Sequence, residues 1–158
     1  MFSGFSISDK INTILIFVST IGVIAAFWQI RYAARTQRVI FLKDLYLQLH
    51  SDKEIARVFY RIEYDEFKYS EDFHGSEEEQ NVDNLLTLLD LICELHFRNV
   101  ISIKEMEFFD YSIYRVSENS EIKKYMVFIS NFLQNRKLKE KIFPAYNKYI
   151  LKFENIKL

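Results

Sequence analysis

The chain contains very little glycine, proline or cysteine. Its 158 residues include three Gly, one Pro and one Cys. Because Gly and Pro form most turns between strands, four such residues are too few for a β-sandwich, a β-barrel or a doubly wound sheet. We therefore expect an all-α fold. The 49% of apolar residues, with fifteen Phe and ten Tyr, suffice for a packed core and exclude a disordered or collagen-like chain.

Several kinds of catalytic and metal site are also missing. The single Cys93 excludes a disulfide framework and a cysteine-based zinc site, and we expect it to be a small buried residue. Glycines at positions 4, 22 and 75 cannot form a phosphate-binding loop. The spacing Glu71-x-x-His74 lacks the second copy that a di-iron bundle needs. We predict no catalytic residue, metal or cofactor, and only structural or exposed roles for His50, His74 and His96.

The net charge of −1 conceals three blocks of opposite sign. Residues 1–62 carry eight Lys or Arg and four Asp or Glu, and residues 63–121 carry four and sixteen. Residues 122–158 carry nine basic and two acidic residues. Basic ends around an acidic middle fit charge pairing between helices or subunits, a basic end that faces a membrane or a nucleotide, or simply solvated faces.

One long uncharged run lies near the start of the chain. Twenty residues, Ile11 to Ile30, separate Lys10 from Arg31 without any charge. As a helix they span roughly 30 Å, the thickness of the hydrocarbon core of a bilayer. A cleavable signal peptide is disfavoured because the preceding residues carry no positive charge and no small-x-small cleavage site follows. The run therefore predicts a transmembrane helix.

Basic residues immediately after this run predict its orientation. Trp28 and Tyr32 stand among Arg31, Arg35 and Arg38, and arginines mark the cytoplasmic end of membrane helices. We therefore expect the N-terminus outside and the rest of the chain inside. The predicted parts are a short extracytoplasmic N-terminus at 1–10, a transmembrane helix at 11–30 and a cytoplasmic helical domain at 31–158.

Heptad spacing collects small and polar residues into one stripe of the membrane helix. Small residues let helix backbones approach closely, whereas lipid favours Leu, Ile and Phe, so the stripe predicts a seam with another copy or another protein. A pore lining is one alternative, because pores are lined by polar or small residues. An ordinary anchor, with these residues together by chance, is another. The stripe consists of Asn12, Leu15, Ser19, Gly22, Ala26, Gln29, Ala33 and Thr36.

The first two helices follow from uninterrupted apolar periodicity. Nothing between Ile30 and Leu49 is Gly or Pro, so the first helix is expected to continue out of the membrane and to exceed about thirty-five residues. Ser51 or Asp52 is expected to cap a second helix, whose apolar positions reach Phe67.

Four more helices are expected, to give a cytoplasmic bundle of about five. The third begins after Ser76 and is the most apolar stretch outside the membrane, which predicts that it lies at the centre of the bundle. Ser102 and Glu105 form a capping box at the start of the fourth. Ser117–Ser120 separates the fourth from the fifth, and a last helix is expected from about Lys137.

Two sets of arginines are the candidate ligand-binding residues. Arg31, Arg35 and Arg38 share one face at spacings of four and three, and Arg57 with Arg61 forms an i, i+4 pair. Such residues bind anionic lipid headgroups. In a ring of identical subunits they could instead bind the phosphates of a nucleotide or oligonucleotide through bidentate hydrogen bonds.

The C-terminal segment combines basic and aromatic residues. This composition is typical of a surface that binds nucleic acid or an acidic partner. Pairing with the acidic middle of the chain explains it equally well. The residues concerned are Arg136, Lys137, Lys139, Lys141, Phe143, Tyr146, Lys148 and Tyr149.

Five stretches of the chain carry a resemblance to a known family. They are Phe27-Trp28-Gln29-Ile30-Arg31, Leu42-Lys43-Asp44-Leu45-Tyr46, Leu88 to Leu95, Arg98 to Ser102 and Phe108-Phe109. These stretches resemble a family of small bacterial single-pass membrane proteins, the DUF4760-like proteins. A Leu-rich run with an acidic residue, a short turn and an aromatic segment are common in that family, and Asn99 stands where a Gly is usual. Asn tolerates the left-handed geometry of such a turn.

This resemblance implies a membrane effector of bacterial anti-phage defence, in the inner membrane. The Hailong type of defence pairs a nucleotidyltransferase with an oligomeric membrane protein, which a DNA oligomer holds shut and which opens to depolarise the cell. By analogy, the resemblance implies a homo-oligomer, a tetramer being one option, with membrane lipids, a nucleotide or DNA oligomer and a nucleotidyltransferase as partners.

Three functional hypotheses remain open at this point. The first is a homo-oligomeric gated pore, without enzymatic activity, whose cytoplasmic bundle responds to a ligand. The second is a membrane-anchored helical module that docks a cytoplasmic partner and forms no pore. The third is an enzyme with an unfamiliar site, which a polar pocket with a perturbed carboxylate near Asp90 and Glu94 would support.

Overall fold

The computed structural model describes residues 7–137 and 142–154, and every regular element in these ranges is helical. The described residues divide into two compact units, with the boundary between Lys43 and Asp44. The elements are α1 (Ile7–Ser51), α2 (Lys53–Glu63), a short 3-10 turn (Glu71–Phe73), α3 (Glu77–Phe97), α4 (Ile103–Glu118), α5 (Ser120–Asn135) and α6 (Pro144–Glu154). The predicted all-α fold, a long N-terminal apolar helix followed by a helical bundle, is confirmed.

The first helix is longer than the predicted minimum. It has 45 residues and includes the whole uncharged run. It ends beside Asp52, whose carboxylate accepts the backbone N–H groups of Glu54 at 3.0 Å and Ile55 at 3.1 Å. These bonds cap α2 at one of the two predicted positions.

The second helix is shorter than expected. It ends at Glu63, and Asp65 then adopts a left-handed φ of 57°. The backbone N–H groups of Glu66 and Phe67 both donate to the carbonyl of Arg61, at 2.7 and 2.9 Å. Phe67 is therefore a core residue outside the helix, and the prediction that α2 extends to it is wrong.

The third helix is central to the bundle, as predicted. It packs against α2, α4 and α6, and its apolar face is fully enclosed. Ser76 caps it by accepting the N–H of Glu79 at 3.1 Å. Cys93 is also buried on this helix, as expected. The enclosed side chains, each at most 4% exposed, are Val82, Leu85, Leu86, Leu88, Leu89, Ile92 and Cys93.

Two turns connect the next helices. Asn99 adopts a left-handed φ of 60° between α3 and α4, as its residue type allows, and the predicted Ser102–Glu105 capping box is present. Between α4 and α5 only Asn119 is non-helical, so the interruption is shorter than the predicted Ser117–Ser120. Asn119 Oδ1 accepts the N–H of Ile122 at 3.1 Å and so caps α5.

The last helix begins later than predicted. α5 ends at Asn135 with Arg136 as its C-cap, and Lys137 turns with a φ of 56°, which excludes a helix that starts there. Pro144 is instead the first residue of α6, a position where its missing N–H costs no helical hydrogen bond. Lys139 and Lys141 lie outside the described residues.

Candidate functional site

The first unit consists of the N-terminal part of α1. Within the part of the chain that the structure describes, α1 is the one helix long and apolar enough to cross a membrane, judged by length and composition. No α1 residue from 7 to 40 is buried. Two of its hydroxyl groups are satisfied within the helix, since Thr13 and Thr20 donate to the carbonyls of Asp9 and Ile16, each at 2.8 Å.

The predicted stripe lies along one side of this helix. The stripe residues recur every three, four or seven positions. Because α1 is helical throughout, this spacing places them on a common face. A Cβ added at Gly22 would meet no atom within 4 Å. The stripe is thus an exposed surface of the single chain, with room for a neighbouring helix. Its site residues are Asn12, Ser19, Gly22, Ala26, Gln29 and Ala33.

Aromatic and basic side chains line a groove on the same unit. Its volume is about 590 Å³. The guanidinium carbon of Arg31 lies 5.7 Å from the ring centroid of Phe27, a cation–π distance. Two of the predicted ligand arginines, Arg31 and Arg35, therefore share one groove with Trp28 and Tyr32, whereas Arg38 is not among its lining residues.

The other two predicted ligand arginines are engaged in ion pairs. Arg57 lies 3.3 Å from a carboxylate oxygen of Glu77, and Arg61 pairs with Glu78. These pairs tie α2 to the first turn of α3. An anionic ligand at Arg57 or Arg61 would have to replace a carboxylate that is already bound.

Two of the three aromatic residues named in the C-terminal segment belong to the core, whereas Phe143 is only half-buried. Tyr146 and Tyr149 are 1% and 2% exposed, and the Tyr149 hydroxyl donates to Asp110 at 2.6 Å. The backbone N–H of Tyr146 donates to Asp90 at 2.8 Å. Both bonds hold Tyr146 and Tyr149 against the acidic middle of the chain, and rings this buried cannot stack on nucleic-acid bases. The basic side chains of the segment take no part in these two bonds.

The histidines have local partners. His50 contacts the rings of Tyr46 and Phe59, and burial lowers its pKa despite the opposing charge of Glu63. His96 Nδ1 lies 3.0 Å from the carbonyl of Ile101. In residues 7–137 and 142–154, no group of three or more His, Cys, Asp or Glu side chains could hold a metal ion. For Cys93, burial and then Asp90 and Asp110 raise the pKa of the thiol.

The second unit contains a polar cluster that the sequence interpretation missed. His74 Nδ1 lies 3.0 Å from Glu79, and its Nε2 lies 2.8 Å from the Tyr69 hydroxyl. The Tyr125 hydroxyl reaches Asp83 at 2.8 Å and Glu79 at 3.2 Å. Five side chains therefore form one hydrogen-bonded chain, which we call the acid–tyrosine cluster: Tyr69, His74, Glu79, Tyr125 and Asp83.

The two carboxylates of this cluster are in different electrostatic environments. Burial alone would raise the pKa of Glu79, but hydrogen bonds from Gly75, His74 and Tyr125 outweigh it and lower that pKa. Burial raises the pKa of Asp83, the Tyr125 hydroxyl opposes the rise, and the charge of Glu79 adds to it. Asp83 is thus the less stabilised anion.

Sequence spacing contained only part of this signal. Glu79 and Asp83 are four residues apart on α3 and so share a face, which could have been read from the sequence. Tyr125 is 42 residues from Asp83, and this contact depends on how α5 packs. The acid–tyrosine cluster does not include Asp90 or Glu94, the two residues of the third sequence-based hypothesis.

In comparisons with known proteins, the chain matches no protein-family model, no curated protein sequence and no solved structure. The class of protein is therefore defined by its own architecture. Over the described residues it is all-α, with a single N-terminal helix long and apolar enough to span a membrane and a helical bundle that contains the acid–tyrosine cluster.

Proposed function

We propose that the protein is a homo-oligomeric inner-membrane effector that forms a gated pore. The observation that carries the proposal is the complete exposure of the apolar part of α1 together with its small, polar stripe. Such an apolar surface is stable only in lipid or against other helices. Lipid would cover the apolar sides, and stripes from neighbouring copies would face one another around a central axis.

The proposed orientation has the N-terminus outside and the bundle in the cytoplasm. Support comes from the arginines after the apolar run, because basic residues are retained on the cytoplasmic side. The aromatic side chains of Trp28 and Tyr32, 72% and 74% exposed, suit the interface between water and lipid.

The proposed stimulus is an anionic nucleotide or DNA oligomer, made by a partner nucleotidyltransferase in anti-phage defence. The resemblance stated above suggests this role, and the groove at Arg31 and Arg35 supports it, since guanidinium groups bind phosphate bidentately. Arg38, one turn further along α1 and outside the groove lining, is the third proposed contact on this unit. Arg57 and Arg61, on the second unit, are a separate proposed contact that a ligand could use only after their release from Glu77 and Glu78.

The test compares two variants of neighbouring residues in proteoliposomes. Gly22→Leu enlarges the stripe without a clash inside the single chain, because no atom lies within 4 Å of the new Cβ. Ile24→Leu, about 200° further around the helix, is the matched control. We expect ion leakage and the discrete oligomer seen by native mass spectrometry to be lost in Gly22→Leu and kept in Ile24→Leu. Equal leakage in both variants, or a monomeric wild type, would refute the pore.

A membrane-anchored interaction module is the second candidate. It is favoured by exposed apolar side chains on α4, where Phe108 is 65% and Ile103 is 51% exposed. On this proposal Gly22→Leu keeps all activity, whereas Phe108→Ser abolishes capture of the cytoplasmic partner.

A further inference from the structure

The acid–tyrosine cluster forms the polar end of an open cleft. The cleft lies between α3, α5 and the residues just before α6, and its volume is about 450 Å³. That size is ordinary for a small-molecule site. The apolar wall consists of Phe128, Ile129, Phe132, Ile142 and Phe143.

The lining of the cleft is acidic. It includes Glu79 and Asp83, and none of its described residues is Lys or Arg. The Glu79 carboxylate accepts a hydrogen bond from the backbone N–H of Gly75 at 2.6 Å. It is also hydrogen-bonded to the side chains of His74 and Tyr125. Within the described ranges, Asp83 has Tyr125 as its one hydrogen-bond partner and takes part in no ion pair.

The Asp83 carboxylate has fewer hydrogen-bond donors than Glu79 has. The Tyr125 hydroxyl carries one proton but lies within hydrogen-bond distance of both carboxylates. It is closer to Asp83, at 2.8 Å, than to Glu79, at 3.2 Å. When both carboxylates are ionised, they share one hydroxyl proton, and among the described residues Asp83 has no other hydrogen-bond donor.

Aromatic rings continue from the carboxylates along the cleft. The His74 ring stacks on Phe128 with centroids 3.9 Å apart, and Phe128 stacks on Phe132 at 6.3 Å. Aromatic faces attract cations, and one face of Phe132 already holds the Arg136 guanidinium, with its carbon 4.3 Å from the centroid. These rings contact one another and Arg136, so they supply an apolar wall, and the preference of the cleft for a positive charge comes from Glu79 and Asp83.

We propose that this cleft binds an organic ammonium ion. Its charged nitrogen lies beside Asp83 and Glu79 and donates a hydrogen bond to Asp83, which otherwise depends on the shared Tyr125 proton. Its apolar body lies along Phe128 and Phe132, with the Thr87 hydroxyl at the side. This site is separate from the arginine groove and holds a ligand of opposite charge, so it does not depend on the pore.

The first experiment uses three probes that share one ring system and differ in charge. Tryptamine is a cation, tryptophol is its neutral analogue, and indole-3-acetate is an anion. Each is titrated by calorimetry into the detergent-purified full-length chain at pH 7. We expect saturable binding of one tryptamine per chain, tryptophol at least about tenfold weaker, and no binding of indole-3-acetate. Absence of tryptamine binding, or equal affinity for tryptamine and tryptophol, would overturn the proposal.

Variants then locate the binding site. Asp83→Asn keeps a hydrogen-bond acceptor for Tyr125 but removes the charge, and we expect at least about a tenfold loss of tryptamine affinity. Thr87→Phe fills the cleft from an exposed position and should abolish binding without affecting folding. Glu94→Gln, on the same helix but paired with Arg98 at 2.6 Å outside the cleft, is the control and should bind as the wild type does. Unchanged affinity in both cleft variants would assign the cluster a purely structural role.

Discussion

The hydroxyl of Tyr125 donates to Asp83 Oδ1 over 2.8 Å and thereby joins α5 to α3. The Tyr125 side chain is 1% exposed, so its ring fills the core while its polar end reaches the edge of the cleft. Burial, together with the hydrogen bond to Asp83 and the negative charges of Asp83 and Glu79, raises the pKa of Tyr125. The hydroxyl is therefore a stable donor throughout the neutral range.

Loss of this hydroxyl should destabilise the bundle. Tyr125→Phe keeps the ring and removes the donor to a partly buried carboxylate, and we expect the free energy of unfolding to fall by about 1.5–3 kcal/mol. Urea unfolding of the detergent-purified chain measures it. Tyr111→Phe removes an exposed hydroxyl that donates to Glu63 at 2.6 Å, and should cost less than about 1 kcal/mol. Equal losses for the two variants would contradict a special role of the buried contact.

The carboxylates of Asp83 and Glu79, which line the cleft, should affect the free energy of unfolding with opposite pH dependence. The pKa of Asp83 is raised on folding, so its contribution is fully present below the unfolded-state pKa and is lost as the pH rises through the folded-state pKa. Asp83→Asn removes this loss. As the pH rises from 4 to 7, the free energy of unfolding of Asp83→Asn should therefore increase relative to that of the wild type. Thermal unfolding of both proteins across that range measures this difference.

Glu79 provides the comparison of opposite sign. Its pKa is lowered on folding, so its contribution is present above the unfolded-state pKa and is lost as the pH falls through the folded-state pKa. Glu79→Gln should therefore be most destabilising at pH 7 and progressively less so towards pH 3. Parallel pH profiles for Asp83→Asn and Glu79→Gln would show that the carboxylates are electrostatically equivalent.

Truncation of a side chain on the buried face of α3 should lower the free energy of unfolding much more than truncation on its exposed face. Leu89 is 0% exposed, and Leu89→Ala should cost about 2–5 kcal/mol because it leaves a cavity among packed side chains. Leu91, on the same helix, is 47% exposed, and Leu91→Ala should cost less than about 1 kcal/mol. Urea unfolding followed by tyrosine fluorescence distinguishes them, and similar costs would place α3 away from the core.

The proposed topology can be tested by cysteine labelling, because Cys93 is 0% exposed and should not react in the folded chain. Lys10→Cys and Glu107→Cys each introduce an exposed thiol at opposite ends of the proposed arrangement. A membrane-impermeant maleimide should label Lys10→Cys in intact spheroplasts and Glu107→Cys only after lysis. The reverse pattern would invert the orientation, and labelling of both without lysis would contradict a membrane span.

Local signals predicted the helices well because their causes lie within a few residues. Asp52, Ser76 and Ser102 were expected from the sequence, and each caps a helix where a short polar side chain meets free backbone N–H groups. Asn119 caps α5 in the same way, although the sequence predicted only an interruption at Ser117–Ser120. The predicted end of α2 and the predicted start of α6 were wrong. The apolar periodicity that suggested a longer α2 reached Phe67, yet that residue packs into the core after the chain has turned at Asp65.

The sequence alone determined that the chain is helical and that its N-terminal helix carries an uncharged run long enough to cross a bilayer, since both follow from composition and short-range spacing. Only the tertiary structure decided which polar groups meet. It pairs Arg57 with Glu77, buries Tyr146 and Tyr149, and brings Tyr125 to Asp83 across 42 residues. An amphipathic side chain has the same local pattern in a core or on a surface, and the packing of distant helices determines its partners.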